Sequence, residues 1–198
     1  RQQLEACCTD QPMAQSITDV PREFRKNIIA GIDWGGGGIA RTAVVIGFVR
    51  PEGVFEICHF ARFSGREDPE LVKGQVTDLC QKFQVRWIGA DGLGTGSVYN
   101  RLLVDSLKYG AKLYALIYST SDSEPYQDGV LMKWQITRTG SIGHLFSCII
   151  KQKIRFPNVA ECGAYLDEFA GATAEYDAKT RCVPYPPPKP HPTDSPPA

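Results

Sequence analysis

Two aspartates each close an apolar stretch and stand just before a glycine-rich turn. They are Asp33 in Gly31-Ile32-Asp33-Trp34-Gly35 and Asp91 in Trp87-Ile88-Gly89-Ala90-Asp91-Gly92-Leu93-Gly94. A carboxylate at the end of a buried strand is held rigidly, and glycines after it let a ligand approach the backbone. A third acid, Asp194, stands near the end of the chain in His191-Pro192-Thr193-Asp194-Ser195. Three carboxylates far apart in sequence, if a fold gathers them, make an all-oxygen site for a divalent metal acting on phosphate. The plainer readings are turn chemistry for Asp33 and Asp91, and a helix cap or solvated tail residue for Asp194.

The elements that must position these acids follow from hydrophobic period. Asn27 to Asp33 is predicted as a first strand, and Thr42 to Arg50, apolar on both faces, as a central second strand. The turn Pro51-Glu52-Gly53 joins it to a third strand, Val54 to Phe63, as a hairpin. Pro69 opens a helix with Val72, Val76, Leu79, Cys80 and Phe83 at helical spacing. Val85 to Ala90 is the fourth strand; Ser97 is expected to cap a helix that Gly110 ends, and Lys112 to Tyr118 is the fifth strand. Residues 119–134 read as a polar loop. Helices are expected from about Thr139 and over Val159 to Phe169, with a short basic strand between them, Lys151 to Phe156. The proline-rich tail from Pro184 carries no regular pattern before His191.

The fourth strand returns through a helix, so it should lie parallel to an earlier strand by a right-handed crossover. If its partner is the first strand, Asp33 and Asp91 end at one sheet edge, on strands about 4.8 Å apart. That spacing lets two carboxylates share one metal, or bracket two metals about 3.5–4 Å apart.

Composition sets outer bounds. A chain of 198 residues holds one sizeable core, with 42% apolar and 22% charged residues as in ordinary globular proteins. Lys plus Arg equals Asp plus Glu at 22 each, a balance that argues against a generally basic nucleic-acid binder but permits a local basic groove. The seven cysteines follow no CxxC or zinc spacing, so they read as reduced, buried thiols. No run is long and apolar enough for a membrane span, and no secretory leader is visible. The chain starts at Arg1 without Met, as an excised fragment would, and residues 1–24 read as a linker or the edge of a preceding domain. No GxxxxGK[ST] phosphate loop is present.

Basic candidates for a phosphate backbone are Arg41, after the glycine run, Lys133 and Arg138 around Trp134, and the alternating Lys151, Lys153 and Arg155. On a strand the last three would share one side; the alternative is lysines that block edge pairing. Asp105, Asp122, Glu124, Asp128, Asp167 and Glu168 read as solvated surface.

The order of elements, with Asp33 ending the first strand and Asp91 the fourth, resembles the ribonuclease H-like nuclease fold: α/β, with a central mixed sheet of five or more strands flanked by helices. Within it, the segments around Asp33, Asp91 and His191-Pro192-Thr193-Asp194-Ser195 are similar to the nuclease domain of a tailed-phage large terminase subunit, over residues 25–198. The resemblance implies an endonuclease that cuts concatemeric viral double-stranded DNA during genome packaging in the host cell cytoplasm. It implies two Mg²⁺ or Mn²⁺ ions held by Asp33, Asp91 and Asp194, with His191 beside them or substituting for a ligand. It implies the terminase small subunit and the portal protein as partners, no membrane, and an upstream packaging ATPase that this chain lacks. The family usually continues from the third acid into a helix, whereas here Ser195 is followed by Pro196-Pro197-Ala198.

Four other readings compete. A non-catalytic DNA-binding or motor-docking module would bind without cutting, and a junction resolvase would share the fold. An actin-like sugar kinase shares the Gly-Ile-Asp start but needs two copies of the core. A methyltransferase needs DxGxGxG where this chain has Asp91-Gly92-Leu93-Gly94-Thr95-Gly96.

Overall fold

The computed structural model describes residues 1–36, 40–107 and 110–171. In chain order the elements are α1 (Gln2–Glu5), β1 (Ile29–Asp33), β2 (Thr42–Val49), β3 (Phe55–Phe63), α2 (Pro69–Lys82), β4 (Trp87–Asp91), α3 (Thr95–Ser106), β5 (Lys112–Ser119), β6 (Tyr126–Asp128), β7 (Leu131–Thr137), α4 (Arg138–Ile150), β8 (Ile154–Arg155) and α5 (Val159–Ala170).

All eight strands form one mixed sheet in the order β6-β7-β5-β4-β1-β2-β3-β8. The β2–β3 hairpin is antiparallel, and β2 pairs antiparallel with β1. β1, β4, β5 and β7 lie side by side and run parallel, so their C-terminal ends share one edge. The expected β1–β4 pairing is present, in the register Ile29↔Trp87 to Ile32↔Ala90.

Strand period explains the layers. Ala30, Ile32, Ile88, Ala90 and Ala115 face one side and pack with Val76, Cys80 and Phe83 of the α2 region and Leu103 of α3. On the opposite side Ile57 and Phe60 of β3 pack with Ile149 of α4 and with Cys162 and Leu166 of α5. Phe48, Phe83 and Phe156 are among the largest fully buried side chains, each stabilising by about 2–3 kcal/mol. On β4, β5 and β7, Trp87, Tyr114 and Trp134 form a ladder with ring centres 6.4 and 6.3 Å apart, and both tryptophans are exposed.

Two expectations are corrected. The stretch 119–134, expected as a loop, contains β6 and the first part of β7. Leu131, Met132, Trp134 and Ile136 are interrupted by Lys133 and Gln135, and the pattern became a strand because β5 offers it a parallel partner from Tyr114 to Ser119. Helix α3 starts at Thr95 rather than at a Ser97 cap: Gly94, at φ +55°, is the cap residue, and the Ser97 hydroxyl donates to its carbonyl at 3.1 Å. Part of the segment 1–24 packs on the domain. Leu4 and Cys7 join one core cluster and Ala14 and Val20 the other, while Phe156 N–H donates to Cys7 O at 3.0 Å.

The six described cysteines are free thiols, and burial pushes Cys58 and Cys80 up to about 12, which suits packing rather than reactivity. No helix among the described residues is long and apolar enough to cross a membrane.

Candidate metal centre at the strand ends

Asp33 and Asp91 are the last residues of the adjacent parallel strands β1 and β4, directly beyond the Ile32↔Ala90 pair. Their side chains project on the same face, since each is one step past paired residues that face the core. Burial of its surroundings pushes the Asp33 carboxyl above its usual range; the negative charge of Asp91 adds to this and the positive charge of Arg138 offsets part of it. One Asp91 oxygen, Oδ1, accepts from Leu93 N–H at 3.2 Å, fixing the carboxylate in a tight turn. Among the described residues neither acid forms an ion pair.

A buried clamp sets the two strand ends relative to each other. The Trp34 indole N–H donates to Asn100 Oδ1 at 2.8 Å, and Asn100 Nδ2–H donates to Asp91 O at 2.8 Å. Asn100 is 0% exposed, so both ends of its amide are used inside the protein. Gly96 brings α3 this close: a Cβ there would collide with Asp91 O and sit 3.3 Å from Trp34 Cδ1. On the other side, Gly35 N–H donates to the Thr42 hydroxyl at 3.0 Å and ties the turn after Asp33 to β2. Asn100, Trp34 and Thr42 escaped sequence reasoning. The available signal was a lone Asn among Tyr99, Leu102 and Leu103 on an apolar helix.

Two carboxylates suit a hard dication in donor chemistry, and a dication would relieve the repulsion between them. Among the described residues no three His, Cys, Asp or Glu side chains gather as a complete site. Asp194 and His191 lie outside the described residues.

The candidate cations divide. Arg138, the first residue of α4, lies at the acid edge, with its guanidinium 5.8 Å from the centre of the Tyr118 ring. Arg41 precedes β2, whose Ala43 pairs with Asp33, and is therefore also at this edge. Lys133 pairs with Ala115 in mid-sheet and forms an ion pair with Asp128. The expected Lys151–Lys153–Arg155 stripe is not formed: only Ile154–Arg155 is strand, and Gln152 at φ +52° breaks the alternation. These three sit beside Phe55 and Glu56, toward the Ile29 end of the sheet and away from Asp33.

A mixed sheet with a β1–β2–β3 meander, crossover strands β4 and β5 added beside β1, and acids at the ends of β1 and β4 is the ribonuclease H-like fold. Solved structures give the nearer likeness. The chain is similar to the P22 large terminase nuclease domain, with a TM-score of 0.57 and 15% identity over 91% of this chain and 79% of that one. It is similar to the nuclease domain of the large terminase subunit gp2 of bacterial virus Sf6, with a TM-score of 0.60 and 10% identity over 92% and 84%. A K428A form of that Sf6 domain, solved with manganese, matches with a TM-score of 0.54 and 10% identity over 80% and 76%. No protein-family model and no curated protein matches the chain.

Proposed function

We propose that the chain is the nuclease part of a phage large terminase, a metal-dependent endodeoxyribonuclease that cuts concatemeric double-stranded viral DNA during packaging. The observation that carries this reading is the juxtaposition of Asp33 and Asp91 at the ends of neighbouring parallel strands, with no ion pair to neutralise them among the described residues. The likeness to the P22 and Sf6 nuclease domains supports it. Asp33 and Asp91 would hold two Mg²⁺ or Mn²⁺ ions, with Asp194 as third ligand and His191 beside it; manganese in the Sf6 domain supports a divalent ion of this type. Small subunit, portal protein and host cytoplasm belong to the same reading.

When bound, the ions supply positive charge to the phosphate, to the attacking water and to the leaving oxygen. Water adds to phosphorus, the P–O3′ bond breaks, and the leaving oxygen takes a proton, giving a 3′-hydroxyl and a 5′-phosphate. The protein fixes the geometry before DNA arrives: the Trp34–Asn100–Asp91 clamp holds β4 and the β1 exit together, and the Leu93 amide sets the Asp91 rotamer. Asp33, whose carboxyl is pushed above its usual range by its surroundings and by the charge of Asp91, would be stabilised as an anion by a nearby cation.

The test is supercoiled plasmid incubated with the protein under Mn²⁺, Mg²⁺ or EDTA, without ATP, beside Asp33→Ala and Asp91→Ala. Metal-dependent nicking lost in both variants is the expected result. Folded wild-type protein that binds DNA and leaves it uncut would replace the nuclease with a docking module.

A further inference from the structure

Arg138 is the cation whose charge reaches Asp33. It follows Thr137, the last residue of β7, and β7 runs parallel to β5, β4 and β1 in adjacent positions. The chain therefore delivers Arg138 to the edge where Asp33 and Asp91 end. Its guanidinium lies against the Tyr118 ring, 5.8 Å from the ring centre. Tyr118 is half-exposed near the end of β5, and its hydroxyl feels the negative charges of both Asp33 and Asp91 and the positive charge of Arg138. Ring, cation and two acids thus form one electrostatic cluster.

The helix start itself does not favour an arginine there. A cation is least favoured at the N-terminal end of a helix, and the first turn of α4 has no acidic residue to answer it. Among the described residues Arg138 forms no ion pair with a carboxylate. An arginine kept on an aromatic face presents a planar, preoriented fork, the geometry that matches two oxygens of a phosphate.

We propose that Arg138, seated on Tyr118, is the phosphate clamp of this site, donating to non-bridging oxygens of the phosphodiester placed against Asp33 and Asp91. This rests on the nuclease reading above and adds a group that touches the substrate. It has a consequence that a merely structural arginine lacks. Without DNA, the guanidinium opposes the metal, because both are cations beside the same carboxylates. With DNA, it is neutralised by the phosphate. Removing it therefore strengthens metal binding and weakens cleavage.

The experiment measures both on the 198-residue chain: Mn²⁺ binding by calorimetry without DNA, and plasmid cleavage at saturating Mn²⁺. For Arg138→Ala the expected results are an Mn²⁺ Kd lowered about threefold and a cleavage rate lowered on the order of 10²–10³-fold. Arg138→Lys restores the wild-type Mn²⁺ Kd but only part of the rate, since an ammonium has neither the fork nor the stacking plane. Tyr118→Leu, which removes the ring on which the guanidinium rests, slows cleavage by about tenfold. Cleavage unchanged in Arg138→Ala, or Mn²⁺ binding weakened with it, overturns the clamp and leaves the nuclease intact. A wild type that binds Mn²⁺ and cuts nothing overturns the nuclease reading, and the clamp with it.

Discussion

At the Ile29 end of the sheet, Arg50 pairs with Glu56 at 2.5 Å and lies over the rings of Phe24 and Phe48, at 5.4 and 5.9 Å from their centres. Phe24 and Phe48 stack 4.6 Å apart, and the Lys153 ammonium donates to Glu52 O at 3.1 Å. At the Asp33 end, two carboxylates stop side by side, one of them in an environment that resists its charge, and Arg138 leans on a ring rather than on an acid. The first end is arranged to lower the energy of the folded chain. The second keeps like charges together, with no ion pair to either acid among the described residues. The difference separates residues that hold the fold from residues that the proposed function assigns to a metal.

Substitutions at the two ends should therefore fail in opposite ways. The largest effect is expected for Asp91→Asn, which keeps the shape and the Leu93 contact but removes the charge proposed to bind metal. Loss of several kcal/mol of charge stabilisation slows cleavage on the order of 10³-fold or more. The urea midpoint should stay near that of wild type, and a large fall in it would mean that Asp91 also holds the fold. At the other end, Phe48→Ala removes a fully buried ring and should cost about 3–5 kcal/mol in urea unfolding. Its cleavage rate, measured where the protein remains folded, should change little.

Asn100 tests the link between the ends, because it is both buried and attached to the site. Asn100→Leu strands the Trp34 N–H and the Asp91 carbonyl, and two unpaired buried groups should cost about 2–4 kcal/mol. Cleavage should fall by about tenfold beyond what unfolding explains, through loosened spacing of Asp33 and Asp91. A rate that follows the folded fraction alone would make Asn100 an ordinary core residue.

The acid end was legible in the sequence because its signal is local: an apolar run, an aspartate, then glycines, occurring twice with a crossover between. That pattern specifies both strand ends and, through handedness, their pairing. The clamp was not legible, since nothing in Tyr99-Asn100-Arg101 says that an amide will span Trp34 and Asp91, contacts 66 and 9 residues away. β7 was missed for a similar reason: Lys133 and Gln135 dilute its apolar pattern, and the partner that makes it a strand lies on β5. The Lys151–Lys153–Arg155 stripe failed because alternation implies one face only while the backbone stays extended, and Gln152 does not. The β2–β3 hairpin needed only a short turn, whereas of the expected buried thiols Cys7, Cys80 and Cys162 are buried and Cys8, Cys58 and Cys148 are partly exposed.

Asp33 provides the smallest and most diagnostic effect. Its carboxyl is pushed up in the folded protein, first by burial and then by Asp91. A raised folded-state value means that the folded protein holds the proton more tightly than the unfolded chain. That stability is fully present below the usual aspartate value, near about 3.9, and is lost as pH rises through the folded value. At neutral pH the ionised Asp33 is therefore destabilising in the protein without metal. Asp33→Asn, which keeps the volume and discards the charge, should raise Tm in EDTA at pH 7. The gain should shrink on acidification and vanish below about pH 4, where Asp33 is protonated in both states. Added Mn²⁺ should then raise the Tm of wild type and not of the variant, since only the wild type has the charge that a dication neutralises. A variant less stable than wild type in EDTA at pH 7 would place Asp33 among the residues that hold the fold, and the contrast between the two ends would not survive it.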